Sequence, residues 1–291
     1  MKNNVYINGR IVSGERALVS VFDRGLRYGD GVFETLKAYD GRPVFLKEHL
    51  LRLSGGMKAL GIPVKALKTL RSDIRDRVLE RLLKKNGLTR GVAYIRITVT
   101  RGVDVGGHLP VRGTSPTVVV VAGAVDERAI KRKGARGVRA VTIKGPGQVV
   151  PGVKSLNYLP NVLGRIEAKR QGAVEGIFVA EDGSITEGTS SNVFVVKAGV
   201  IKTPLLSAGA LPGITRSVVI ELARKKRIPV KETKVLLRDL YKGDEVFITN
   251  SVSEVVPVVR VDSKKIGRGT PGGITRVVQE EYSKKLRGAF L

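Results

Sequence analysis

Pro151-Gly-Val-Lys-Ser-Leu-Asn-Tyr158 is the stretch on which the reading of this chain turns. It follows directly on a glycine-rich segment, Gly145-Pro-Gly-Gln-Val-Val-Pro-Gly152, and leads into a run with Leu156, Leu159, Leu163 and Ile166 on one helical face. A lysine at a loop-to-helix junction can project into a cleft. The positive end of the helix dipole, beside a cationic ring, would lower its pKa toward the free, nucleophilic amine. Downstream of Lys154 comes Glu187, in Ile185-Thr-Glu-Gly-Thr-Ser-Ser-Asn192, after an Asp182-Gly183 turn. A Gly-Ile-Thr-Arg quartet at 213–216 then introduces a helix whose Val218, Val219, Leu222 and Ala223 share a face and whose last turn, Arg224-Lys-Lys-Arg227, complements the negative dipole end. The first N–H groups of such a helix are unpaired and make a ready anion site, assisted by the Thr215 hydroxyl and by Ser251 of Thr249-Asn-Ser-Val-Ser253.

Outward from this centre, helix and strand signals are mixed. Val5-Tyr-Ile-Asn-Gly-Arg-Ile-Val12 reads as a hairpin, because Asn-Gly tolerates the positive φ of a type I′ turn. Leu46, Leu50, Leu53, Met57 and Leu60 fall on one helical stripe before Gly61 and Pro63 stop it. Leu67, Leu70, Ile74, Val78 and Leu82 suggest a second helix, ending near Asn86-Gly87. Residues 92–100 switch to period two, with Ala93, Ile95, Ile97 and Val99 on one face and Tyr94, Arg96 and Thr98 on the other. Tyr94 and Arg96, side by side, could receive a substrate carboxylate; a plain polar face beside solvent is the other reading.

A buried strand at 117–122 gives way to a charged stretch, 123–134, which reads as a linker. This divides the chain into a small α/β domain at 1–122 and a larger, strand-rich domain at 135–291. Strands are expected there at 138–143, 176–180 and 193–196. The Gly-Ile-Thr-Arg quartet recurs at 273–276 in different surroundings and reads as coincidence.

The bulk composition excludes several classes. At 291 residues and 42% hydrophobic content a substantial buried core is expected. The longest apolar runs are strand-length, far short of the ~20 residues that cross a bilayer, and the first residues carry no apolar leader, so a cytoplasmic protein without a membrane partner is expected. The lack of cysteine removes disulfides, thiolate zinc and a cysteine nucleophile, while His49 and His108 are too few and too separated to suggest a metal site. The net charge of +26 is spread along the chain without a zinc finger, RNP pattern or basic arm. It reads as a solvated surface with no specific nucleic-acid partner; attraction to polyanions would be weak and steeply salt-sensitive.

An amine, then a carboxylate, then a helix opened by Gly-Ile-Thr are the three attachments that pyridoxal 5′-phosphate needs. The carboxylate opposite the pyridine nitrogen keeps it protonated and makes the ring an electron sink, and the small residues after Glu187 leave room for the ring. Taken singly, each has a plain alternative: a surface lysine, a solvated strand-end glutamate, a threonine cap.

Six segments in order resemble the class IV pyridoxal-phosphate family of branched-chain aminotransferases, D-amino-acid aminotransferases and aminodeoxychorismate lyases. They are Tyr28-Gly-Asp-Gly-Val-Phe-Glu-Thr35, His49-Leu-Leu-Arg-Leu53, Lys154-Ser-Leu-Asn-Tyr158, Thr186-Glu-Gly-Thr-Ser-Ser-Asn-Val-Phe194, Pro212-Gly-Ile-Thr-Arg216 and Phe247-Ile-Thr-Asn-Ser-Val-Ser-Glu-Val-Val-Pro257. The resemblance implies an α+β, two-domain fold type IV enzyme, D-amino-acid aminotransferase-like, with the cofactor between the domains, and a homodimer. It implies that Lys154 forms the Schiff base and moves the proton between Cα and C4′, that Glu187 binds the ring nitrogen, and that Tyr158 approaches the ring oxygen. Arg52, Ile214, Thr215 and Ser251 would hold the phosphate; Phe33, Tyr94 and Arg96 would meet the substrate.

Within the family, Val32-Phe-Glu34 and Tyr94-Ile-Arg96 look like the branched-chain pattern. Lys154-Ser-Leu-Asn157 and Glu187-Gly-Thr-Ser-Ser-Asn192 look more like the D-amino-acid enzymes, although Gly106-Gly-His108 keeps only the histidine of their Arg-x-His pair. Asn250-Ser251 leans toward the lyases. The expectation is transamination of a branched-chain or other apolar L-amino acid with a 2-oxo acid such as 2-oxoglutarate, with aminodeoxychorismate lyase second and D-amino-acid transamination third.

Overall fold

The computed structural model describes residues 3–63, 77–145 and 147–288, and its architecture is α+β. Leu67, Leu70 and Ile74 of the expected second helix lie outside the described residues. The chain divides into two compact units, Met1–Asp126 with Val153–Asn157, and Glu127–Gly152 with Tyr158–Leu291.

The first unit is built on an antiparallel six-stranded sheet. Strands β1 (Asn4–Ile7) and β2 (Arg10–Ser13) form the expected hairpin, with Asn8 at φ 43° and Gly9 at φ 92°. Beyond them lie β3 (Gly31–Tyr39), β4 (Arg42–Pro43), β5 (Val92–Thr100) and β6 (Val118–Ala124), in the sheet order β2-β1-β6-β5-β3-β4. Alternation along β3 and β5 buries Val32, Leu36, Ala38, Ile95, Ile97 and Val99. A short helix α1 (Arg24–Tyr28) precedes β3, capped by the buried Asp23 carboxylate, which accepts from Gly25 N at 2.7 Å and from the Thr100 and Thr117 hydroxyls. Helix α2 (Leu46–Ala59) packs on β3 and buries Leu50, Leu53 and Met57, each contributing about 1.5–3 kcal/mol by leaving water. Helix α3 (Arg77–Lys85) buries Leu79, Leu82 and Leu83.

Strand β4 reaches only Ala38 and Tyr39 of β3, so the start of β3 has an edge left to pair. Residues 153–157 take it. Phe33 N donates to Lys154 O, Leu156 N donates to Gly31 O, both at 2.9 Å, and Ser155 bridges Val32. Lys154 is therefore fixed by extended pairing along β3 and not by a helix N-terminus; the helix that follows starts only at Leu159.

The second unit carries a mixed nine-stranded sheet. Its strands are β7 (Val138–Lys144), β8 (Glu175–Val179), β9 (Ile185–Gly188), β10 (Asn192–Lys197), β11 (Val200–Thr203), β12 (Val230–Glu232), β13 (Glu245–Asn250), β14 (Glu254–Val261) and β15 (Lys264–Lys265). The order is β12-β11-β10-β13-β14-β7-β8-β9, with β15 on β14. Its core includes Ile177, Val193, Val195, Val246, Ile248, Val256 and Val258.

The division between the two units, after Asp126, falls within 123–134, whose residues complete β6 and form most of helix α4 (Glu127–Arg136), which packs on β14. One expectation is corrected here. Helix α5 (Leu159–Arg170) turns Leu159, Leu163 and Ile166 outward and buries Asn161, Gly164 and Ala168 instead. Steric room decides this, because a Cβ on Gly164 would stand 2.9 Å from Thr189 Cγ2, and the small face alone can approach the sheet so closely. Helices α6 (Ile214–Lys225), α7 (Leu237–Tyr241) and α8 (Gly273–Gly288) complete the unit. No described helix is long and apolar enough to cross a membrane.

Candidate active site

The first unit supplies an amine and a polar sheet face. Antiparallel register sets Phe33, Thr35 and Lys37 opposite Thr98, Arg96 and Tyr94. The Arg96 guanidinium lies 3.8 Å from the Phe33 ring centroid and the Lys154 ammonium 4.5 Å from the same centroid. Tyr94 lies against Gly123 of β6, where an added Cβ would come within 2.6 Å of its ring. Lys37, only 3% exposed, donates to the Tyr39 hydroxyl at 3.0 Å. Sequence reading missed Lys37; its place on the same period-two face as Phe33 was the available signal.

Arg52 is organised from beneath. Glu34, on the buried face of β3, accepts from Arg52 Nε at 2.6 Å and Arg52 Nη2 at 2.7 Å, and its Oε2 lies 2.7 Å from His49 Nδ1. His49 and Arg52 are three apart on α2, so both reach one carboxylate. Burial raises the pKa of Glu34, but hydrogen bonds from Arg52 and His49 outweigh it and hold the group at about 2. Burial likewise pushes His49 below its ordinary value, against the pull of Glu34, so the neutral ring donates from Nδ1.

Both folded values lie below the unfolded ones, so this cluster stabilises the fold at neutral pH and loses that stabilisation as pH falls, first through His49 below about 6.5 and then through Glu34 between about 4.5 and 2. The Glu34 contribution is on the order of 3 kcal/mol. The melting temperature of the wild-type protein should therefore fall more steeply across the lower window than that of Glu34→Gln, which should start lower. Parallel slopes would remove Glu34 from the account.

The second unit supplies a carboxylate and an anion site. Glu187, on β9 and 3% exposed, accepts from Leu211 N at 2.7 Å and from Gln148 Nε2 at 2.9 Å. It is no solvated strand end. Asn192, in the same motif, donates to Leu211 O at 2.8 Å, and its Oδ1 lies 1.9 Å from where a Cβ on Gly213 would sit. Any larger residue there, at the N-cap of α6, would push the Asn192 side chain aside; the helix has no side-chain cap. Thr215 is buried with its hydroxyl 3.4 Å from that of Tyr282 on α8, and Ser251 sits in a turn where Asn250 Oδ1 accepts from Val252 N and Ser253 N. Tyr158, just before α5, donates to Thr189 O at 3.1 Å.

The second Gly-Ile-Thr-Arg, at 273–276, shows what this tetrapeptide does. It opens α8, and the Glu245 carboxylate sits on its first N–H groups, accepting from Ile274 N at 3.0 Å, Thr275 N at 2.7 Å and Thr275 Oγ1 at 2.6 Å. Both copies start a helix, and at 273 the bound anion is internal. Among the described residues no side chain caps the copy at 213, which leaves its first N–H groups open to an external anion. Among the described residues no cluster of side chains could hold a metal ion.

The amine of the first unit, and the buried carboxylate and uncapped helix N-terminus of the second, are each of the chemistry that pyridoxal 5′-phosphate requires. Residues 31–261 match the family model described as amino-transferase class IV, and the chain belongs to that family of pyridoxal-phosphate aminotransferases. A Methanocaldococcus jannaschii protein provisionally named a branched-chain-amino-acid aminotransferase is 43% identical over 96% of this chain and 94% of its own length. D-alanine aminotransferase of Staphylococcus epidermidis is 35% identical, over 97% and 98% respectively, and aminodeoxychorismate lyase of Bacillus subtilis 33%, over 97% and 94%. Among solved structures, Escherichia coli branched-chain amino acid aminotransferase superposes with a TM-score of 0.86 at 32% identity, over 99% of this chain and 96% of that one. The branched-chain aminotransferase of the thermophilic archaeon Thermoproteus uzoniensis, solved with norvaline, gives 0.84 at 29%, over 99% and 95%.

Proposed function

We propose that this aminotransferase moves the amino group of a branched-chain or other apolar L-amino acid to a 2-oxo acid such as 2-oxoglutarate, in two half-reactions on one cofactor. The observation that carries the reading is the sheet face on which an apolar ring, Phe33, is flanked by Arg96 and backed by Tyr94 and Lys37. Such a face offers an apolar side chain a surface and a carboxylate two cations.

When bound, pyridoxal phosphate supplies an electron-withdrawing ring that accepts the charge developing at the substrate α-carbon. Lys154 provides the amine that attaches the cofactor and then takes and returns the α-proton. Glu187, fixed by Leu211 N and Gln148, would hold a proton on the ring nitrogen. Arg52, oriented by Glu34, would hold the phosphate, as would the N–H groups of Ile214 and Thr215 with Ser251. Tyr158 orients the ring oxygen. Phe33, Tyr94 and Arg96 receive the substrate.

A panel of L- and D-amino acids with 2-oxoglutarate, run beside aminodeoxychorismate, tests the assignment. Preference for apolar L-donors supports it. Pyruvate release from aminodeoxychorismate with no amino-acid turnover would replace it with the lyase reading, toward which the Asn250-Ser251 sequence leans. Arg96→Ala should raise KM for the amino acid and its 2-oxo partner by about 10- to 100-fold, from loss of a charged hydrogen bond of roughly 1.5–3 kcal/mol, and leave the cofactor bound. Normal KM values, or loss of cofactor, would exclude this role.

We further infer a homodimer. Leu159, Leu163 and Ile166 form an exposed apolar row on α5, and the first unit exposes Val105 and Leu109. A second copy would remove such side chains from water at about 1.5–3 kcal/mol each. Sedimentation should give twice the chain mass for the wild type and a shift toward monomer for Leu163→Glu/Ile166→Glu; a monomeric wild type would refute this.

A further inference from the structure

We propose that Glu175 is a positioning residue that acts through Thr189 to hold Tyr158, and the turn after Glu187, in working geometry; this rests on the pyridoxal-phosphate reading of those two residues. Glu175 begins β8, is 2% exposed, and has no place in the chemistry assigned above. One carboxylate oxygen accepts from Gly176 N at 3.1 Å and from the Thr189 hydroxyl, and the other from Ser190 Oγ and Ser191 Oγ, each at 3.0 Å. Two donors on each oxygen fill its acceptor capacity. Arg165 Nη1 stands 3.5 Å from Oε1, at the outer edge of hydrogen-bond range.

Burying a carboxylate on hydroxyl groups is costly, and an apolar side chain of similar size would serve packing as well. What the carboxylate adds is direction. It only accepts, so it turns the hydroxyls of Thr189, Ser190 and Ser191 toward one point and closes the turn, in which Gly188 N also donates to Ser191 O at 2.6 Å. Thr189 is then held on every side. Its N–H donates to Gly176 O at 2.8 Å, and its methyl fills space left by two glycines, since a Cβ on Gly164 or Gly176 would come within 2.9 Å of it. Its carbonyl accepts from the Tyr158 hydroxyl at 3.1 Å and from Asn161 Nδ2 at 3.0 Å. The path runs from Glu175 to Thr189 to the Tyr158 hydroxyl, and through Gly188 to Glu187.

Glu175→Gln keeps the shape but sets an amide N–H₂ against two of the donors. In the cofactor-loaded enzyme we expect kcat to fall by about tenfold or more, with KM for the amino donor changed less than about twofold. The pH midpoint of the cofactor absorbance should also move, because the Tyr158 hydroxyl and Glu187 would lose the hold that Thr189 and its turn give them. A merely structural role would lower the melting temperature and leave kcat per bound cofactor and the absorbance midpoint at wild-type values; that result would overturn the proposal. Should Glu175→Gln fail to fold, Thr189→Val, which removes one hydroxyl and keeps the carbonyl, decides by the same two readouts. An active wild type matched by these variants sinks this inference alone, whereas a wild type that binds no pyridoxal phosphate sinks it together with the cofactor reading.

Discussion

Lys154→Ala should lower transamination by about 10⁴-fold or more, because one amine is expected both to attach the cofactor and to carry the α-proton. The backbone at this position is held independently of the side chain: Lys154 O accepts from Phe33 N, and the next residues pair with Gly31 and Val32. Truncation should therefore leave the first unit folded and Arg52 in place on Glu34. Lys154→Arg separates charge from chemistry, since it restores a cation but not a nucleophilic amine at neutral pH, and it should be as inactive as the alanine variant. Borohydride treatment of the loaded wild-type enzyme followed by mass spectrometry should find the cofactor on Lys154. A label on another lysine, or an alanine variant within tenfold of wild type, would end the assignment.

Period two at 92–100 was legible because alternation is local: Ile95, Ile97 and Val99 are buried and Tyr94 and Arg96 share the opposite face. The α2 stripe was legible for the same reason. What sequence reading got wrong depended on partners far along the chain. The setting of Lys154 is made by the unpaired edge of β3, more than a hundred residues earlier, so a rule about loops and helix ends could not supply it. The apolar row of α5 looked like a core face because periodicity reports amphipathicity and is silent on which side is covered; Gly164 against Thr189 decides that. Glu34 carried a usable signal. A carboxylate in phase with Val32 and Leu36 on a buried strand face requires donors, and His49 and Arg52 are one helical turn apart in a motif already singled out. Glu175 carried no comparable signal, since its side-chain partners within 3.0 Å are three ordinary hydroxyls in a run that reads as small and flexible.

Glu187→Gln should slow the half-reaction with the amino donor by about 10²-fold or more while the cofactor stays bound. The geometry makes this a test of charge rather than of shape. Leu211 N is a fixed donor, so the new amide must turn its oxygen toward Leu211 and its N–H₂ toward Gln148. Gln148 is itself an amide and can reverse to present its oxygen, so both contacts survive with the donor of one exchanged. The loop at 211–213, held by Asn192, should not move, and the helix N-terminus at Gly213 remains formed. What would be lost is the negative charge proposed to keep a proton on the ring nitrogen. Without it the ring withdraws electrons less strongly as charge develops at the α-carbon, a cost of several kcal/mol in the transition state. Rapid mixing of the loaded variant with the best donor measures the step directly, and equilibrium dialysis checks that cofactor affinity is little changed. A half-reaction at the wild-type rate would remove Glu187 from the ring nitrogen; loss of the cofactor itself would make it an anchor rather than an electronic partner.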